Sequence, residues 1–183
     1  VIDDAANFLR VSGERFDIIS ADEKTADKYA SNGFSYSRDY YELLREHLTP
    51  TGLAIQWIPN HLPEDQYRMV LRTFALSFPH VTIWYFPPAG KAGPANTFVV
   101  GSLVDLRLDL EWMNGEMARR REDFSGWRKY GIDLAEALLA HFIGGRQEVL
   151  ESTREAAVNS LEFPYYEFYS PRKYAVTVER RSL

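Results

Sequence analysis

Phe16-Asp17-Ile18-Ile19-Ser20-Ala21-Asp22 reads as a buried strand that ends in a carboxylate. A polar loop and Tyr36-Ser37 follow, then a helix over 39–48, then Thr49-Pro50-Thr51-Gly52, then a second apolar strand over 53–58 carrying Gln56. A short apolar run is the mark of a parallel strand covered on both faces. An acid just past its carboxyl end lies where open α/β sheets bind ligands. Asp22 is therefore the best single candidate for chemistry, and the fold class is α/β. Almost nothing precedes this run. The glycine-rich strand-turn-helix that opens a nucleotide-binding sheet is not within the chain.

Outward from that centre, a short helix is expected over Ala5–Val11. In the helix at 39–48, Tyr40, Leu43, Leu44 and Leu48 share one face, with Ser37 as N-cap and Thr49-Pro50 as stop. Pro63 suits a first helical turn, and Tyr67, Val70, Leu71, Phe74 and Phe78 then recur at the helical period, predicting a helix over 63–77. Strands at 81–86 and 97–101 flank a Pro/Gly/Ala loop at 87–94 and are expected as antiparallel neighbours at a sheet edge. Beyond residue 103 helices are expected at 108–121, 134–142 and 146–158, broken at Gly126, Gly131 and Gly144-Gly145. The aromatic run Phe163-Pro164-Tyr165-Tyr166-Glu167-Phe168-Tyr169 is expected to pack back onto the body as an extended segment. Residues 1–102 thus read as a three-layer α/β body, and 103–183 as a helical extension packed on the same domain.

A chain of 183 residues is long enough to bury a substantial core. A net charge of -5 disfavours DNA and anionic membrane surfaces, so no nucleic-acid partner is expected. The densest basic stretch, Arg119-Arg120-Arg121, runs straight into Glu122-Asp123 and reads as a solvated helix face. The absence of cysteine excludes disulfides, thiol catalysis and thiolate metal sites, and fits a reducing cytoplasm. His47, His61, His80 and His141 show no ligand spacing, so no metal is expected. No apolar run approaches the roughly 18 residues of a membrane span, and no signal peptide precedes Asp3-Asp4. The start at Val1, without Met, leads us to expect a piece of a longer protein.

The stretch from Asp4 to about Gly101 resembles the catalytic half of the spermidine synthase (polyamine aminopropyltransferase) family. That family uses the fold of S-adenosylmethionine-dependent methyltransferases. The likeness rests on Asp4-Ala5 with Phe8-Leu9, Phe16-Asp17-Ile18-Ile19 leading to Asp22, and Tyr36-Ser37 with Tyr40-Tyr41. Leu48-Thr-Pro-Thr-Gly52 before the strand with Gln56, and Phe78-Pro79-His80-Val81, complete it. Gln56-Trp57-Ile58-Pro59, the later helices, and the stretch from Asn159 to Pro171 with Pro164 and Glu167 are most similar to a bacterial subgroup. In that subgroup the synthase-like domain is often joined to a membrane-embedded N-terminal region, which makes the cytoplasmic domain of a membrane protein a second possible setting.

The resemblance implies a partial methyltransferase-like, Rossmann-type sheet with a C-terminal helical extension. It implies a small-molecule amine and a nucleoside sulfonium as partners. Decarboxylated S-adenosylmethionine or S-adenosylmethionine itself would be the co-substrate, with no tightly bound cofactor. It gives Asp4 a contact to the adenine amino group and Asp22 the role of base on the attacking amine; read from the residues alone, Asp4 is equally the N-cap of the helix over Ala5–Val11. Gln56 and Tyr36 are implied as substrate-binding, with Tyr36 at the rim of the cleft. Two departures stand against a full carry-over. Asp22 is followed by Glu23-Lys24-Thr25, with Thr25 where the family has a second Asp and no proline after it. The glycine loop and the acid that would hold the ribose are absent, so the chain alone is expected to be inactive. Methyl transfer on the same fold, or a non-catalytic descendant with an interaction role, are the competing readings. A first strand without its usual neighbour is an exposed edge, so a homodimer is expected, or else a terminal segment such as 165–169 folded over it.

Overall fold

Ser37 sets where the first crossover helix starts. Its Oγ accepts the Tyr40 N–H at 3.2 Å, an N-cap that opens a helix at Arg38–Glu46. The computed structural model of the protein describes residues 4–22, 33–88 and 95–168. Within them the elements run α1 Ala5–Val11, β1 Phe16–Ala21, α2 Arg38–Glu46, β2 Leu48–Pro59, α3 Glu64–Ser77, β3 His80–Phe86 and β4 Asn96–Ser102. After these come α4 Leu110–Arg119, α5 Ala135–Leu139, β5 Phe142–Gly145 and α6 Arg146–Ser152. Short 3-10 turns stand at Phe34–Tyr36 and Ser125–Tyr130.

β1 and β2 pair in parallel and are joined through α2, a strand-helix-strand unit. The sheet order is β1-β2-β4-β3-β5. β4 inserts antiparallel between β2 and β3, so the strands joined by α3 share a direction without touching. The expected antiparallel pair is present, but it does not form the sheet edge. β5 adds antiparallel to β3 beyond it, with Phe142 edge-on to Trp84 at 5.5 Å between ring centres. The extension after residue 103 therefore contributes a strand as well as helices, and its helices are shorter than the periodicity predicts.

β2 also begins earlier than expected. Residues Thr49 to Gly52 belong to the strand rather than to a loop, and the register against β1 is irregular between Phe16 and Ile18. Gly52 is required there, because a Cβ would stand 2.7 Å from the Phe16 carbonyl oxygen.

One sheet face carries the core. Ala54 and Ile58 of β2, Val81 and Ile83 of β3 and Val99 of β4 are buried under Tyr41 and Leu44 of α2 and Met69, Val70, Phe74 and Ala75 of α3. Ala6 and Leu9 of α1 and Val149 of α6 join the same cluster. The register puts Ile18, Leu53, Ile55, Trp57, Phe98 and Val100 together on the other face. None of these six is fully buried, and Ile18 is 62% exposed. The expected third layer is thus incomplete among the described residues. A smaller cluster of Met117, Ile132 and Ala135, packed against Phe86 and Tyr130, closes the α4–α5 region.

Candidate functional site

The parallel pair brings Asp22 and Gln56 to one end of the sheet. Asp22 is exposed directly after the last residue of β1, and Gln56 lies opposite Ala21, the residue before it. Both therefore sit toward the carboxyl ends of adjacent parallel strands, the ligand-binding end of an open α/β sheet. Gln56 is completely buried. Its Nε2 donates to the Ala21 carbonyl at 3.2 Å and to the Trp57 carbonyl at 2.8 Å, which fixes the amide. Its Oε1 is an acceptor with no hydrogen-bond donor among the described residues. A buried acceptor left so is a feature that native interiors rarely carry without a reason.

Around that end of the sheet the polar groups are tied together. The Trp57 indole donates to Asn96 Oδ1 at 3.1 Å. The Tyr67 hydroxyl donates to Thr97 Oγ1 at 3.0 Å, and Thr97 in turn donates to Asn60 Oδ1 at 2.6 Å. Burial raises the Tyr67 phenol above its ordinary value, partly offset by its bond to Thr97, so Tyr67 serves as a neutral donor.

Tyr36 differs from its expected place. Its ring is fully buried, 5.0 Å from that of Tyr166, in the core rather than at a rim. Asp4 accepts the Asn7 N–H at 2.9 Å as the N-cap of α1, one of the two roles read for it. Glu23, Lys24 and Thr25 lie outside the described residues. Three of the four histidines make contacts within the fold: His47 Nδ1 lies 2.9 Å from the Leu43 carbonyl, His141 Nδ1 3.0 Å from the Tyr85 carbonyl, and His80 2.6 Å from Asp105.

The group that sequence reasoning did not single out is Asn159. It is 1% exposed and ties three segments together. Its Nδ2 donates to the Gly33 carbonyl at 2.8 Å, and its Oδ1 accepts the Tyr166 N–H at 3.1 Å. Its own N–H donates to Thr73 Oγ1 at 3.0 Å, and its carbonyl accepts the Arg38 N–H at 2.8 Å. The terminal aromatic run is accordingly not an extended strap. Residues 165–168 form a turn of helix that inserts Tyr166 against Tyr36 and leaves Phe168 exposed. An Asn between an apolar helix and an aromatic run was the only signal.

No family model and no curated protein sequence matches the chain. Solved structures do match in fold. A probable spermidine synthase from Corynebacterium glutamicum aligns with a TM-score of 0.55 and 17% identity, over 87% of this chain and 53% of that one. A spermidine synthase from Thermotoga maritima gives 0.57 and 15%, over 85% and 49%. A spermidine synthase in complex with the transition state analogue AdoDATO gives 0.54 and 14%, over 85% and 48%. The chain has a spermidine synthase-like, methyltransferase-type fold and spans about half the length of these structures.

Proposed function

We propose that this chain forms the amine-accepting part of an aminopropyl-transfer site, working in the full-length protein with a decarboxylated S-adenosylmethionine type donor. The observation that carries the reading is the pair Asp22 and Gln56 at the carboxyl ends of adjacent parallel strands, with a buried Gln56 acceptor awaiting a donor. The fold it shares with spermidine synthases, one of them bound to AdoDATO, supports the same reading.

In this reaction an amine nitrogen attacks the aminopropyl carbon beside the sulfonium. The carbon–sulfur bond breaks, its electron pair stays on sulfur as a neutral thioether, and the amine gives up a proton. Free alkylamines titrate at about 10, so the acceptor arrives as a cation. A carboxylate at Asp22 both attracts that cation and accepts the proton. Gln56 Oε1 accepts an N–H of the amine and turns its lone pair toward the donor.

Isothermal titration of the full-length protein with decarboxylated and with ordinary S-adenosylmethionine tests the donor. Preference for the decarboxylated form is expected, preference for the ordinary form transfers the reading to methyl transfer, and binding of neither rejects an enzyme. Asp22→Asn is expected to lower kcat by about 10²–10⁴-fold with donor affinity within a few-fold. Undiminished turnover would reject Asp22 as the base. The isolated chain is expected to turn over nothing.

A further inference from the structure

Leu53 of β2, Ser102 of β4 and His80 of β3 stand in register, one row across the open face of the sheet. The row lies toward the amino ends of β2 and β3, away from the end that carries Asp22 and Gln56. After β4 the chain folds back beside it. Ser102 Oγ donates to the Val104 carbonyl at 2.7 Å, and Asp105 Oδ1 lies 2.6 Å from His80 Nδ1. Two adjoining hollows of about 230 and 640 Å³ result, sharing His80, Ser102, Asp105 and Leu106.

The smaller hollow is lined by one anchored charge of each sign. Arg146 is half-buried, and its Nε donates to the Ala75 and Phe78 carbonyls, both at 3.0 Å. Those bonds pin the guanidinium, while its two terminal nitrogens have no acceptor among the described residues. Asp105 is held through Oδ1 by His80, and its Oδ2 has no donor among the described residues. The two side chains line the same hollow, yet no ion pair joins them. A ligand that completes both carries an anion and a cation side by side, a carboxylate for Arg146 and an ammonium for Asp105. The larger hollow adds apolar walls from Leu53, Leu103, Val104 and Leu106, with Val104 47% exposed. Such walls suit an apolar group on the same ligand.

We propose that this cleft binds a free α-amino acid with a large apolar side chain. Its carboxylate accepts from the Arg146 guanidinium, its ammonium donates to Asp105, and its side chain lies along Leu53, Leu103, Val104 and Leu106. The inference is independent of the amine-transfer reading above. The bonds to Ala75 and Phe78 on one side and to His80 on the other fix both charges before the ligand arrives, so binding orders little. A simple amine or a simple acid completes only one of the two.

The test is isothermal titration of the full-length protein with L-leucine, N-acetyl-L-leucine, L-leucinamide, glycine and L-glutamate. L-Leucine is expected to bind at millimolar concentration or below. N-acetyl-L-leucine lacks the ammonium and L-leucinamide the carboxylate, so each should bind at least about tenfold more weakly. Glycine should lose a similar factor, because it leaves the apolar walls uncovered. Asp105→Asn should weaken L-leucine by about tenfold and leave N-acetyl-L-leucine unchanged, with an unaltered melting temperature. Arg146 is kept, because its bonds to Ala75 and Phe78 belong to the fold. No binding of L-leucine, or equal binding of it and either derivative, overturns the proposal. So does an unchanged L-leucine affinity in Asp105→Asn. Arg107 also borders the larger hollow, and L-glutamate bound more tightly than L-leucine would overturn the apolar assignment. Should Asp105→Asn fail to melt cooperatively, the ligand series alone decides.

Discussion

Gly101 and Phe78 occupy space that only one of them can fill. A Cβ on Gly101 would stand 2.5 Å from Cγ of Phe78, whose ring is 1% exposed and packs 4.7 Å from Phe74. The ring is enclosed and cannot retreat, so Gly101→Ala is expected to destabilise by about 1–3 kcal/mol in urea denaturation. A wild-type midpoint would show that β4 can shift instead. Phe74→Ala removes the ring that meets Tyr41 edge-on at 4.9 Å and is expected to cost about 3–5 kcal/mol. At this scale the sequence was legible where one strand settled the matter. An acid past an apolar run located Asp22, and counting along the next strand located Gln56 beside it. Tyr36 was not legible, because a tyrosine after a polar loop reads alike whether its ring faces a cleft or the core. Tyr166, far along the chain, closes over it and decides the matter.

Elements were legible in proportion to their local contacts. The α2 and α3 helices follow their apolar stripes and caps, and β1 agrees with its expected bounds at Phe16–Ala21. β5 was missed because Phe142-Ile143-Gly144-Gly145 has no period of its own and becomes a strand only against β3. The join between α4 and α5 is likewise set by partners remote in sequence, and it carries a dependence on pH. Asn114 Oδ1 accepts the Ala135 N–H at 2.7 Å, while its Nδ2 donates to both carboxylate oxygens of Glu136 at 3.1 and 3.0 Å. That side-chain bond holds the Glu136 carboxyl below the ordinary 4.5. A lowered folded value stabilises fully above the unfolded one and is lost as the pH falls through it. The α4–α5 join should therefore hold at neutral pH and weaken below about pH 4.5. An NMR titration of the Glu136 carboxyl is expected to give a depressed midpoint that returns toward the ordinary value in Asn114→Ala. An ordinary midpoint in the wild type would show the latch to be absent in solution.

At the scale of the whole molecule, the sheet ends on two unlike edge strands. β5 is a four-residue edge beyond β3, whereas β1 is a six-residue edge that pairs only with β2 among the described residues. Ile18 on that outer strand is 62% exposed, and its face continues through Leu53, Ile55 and Trp57, all half-buried. The aromatic run, expected as a cover for this edge, instead spends Tyr166 on Tyr36. What is left is an apolar edge with backbone donors and acceptors in a row, the arrangement that templates pairing with another chain. A net charge of -5 spread over 183 residues gives little repulsion to oppose it. The chain is therefore expected to self-associate, most simply as a twofold dimer that sets one β1 region against its copy. Light scattering at micromolar concentration should return a mass above the monomer that grows with concentration. Ile18→Lys, which puts a charge on the exposed face without touching the core, should return it toward the monomer and leave the melting of the dilute protein nearly unchanged. A wild type of monomeric mass at every concentration, with outward β1 amides exchanging at the rate of an unstructured peptide, would mean that the edge is tolerated bare.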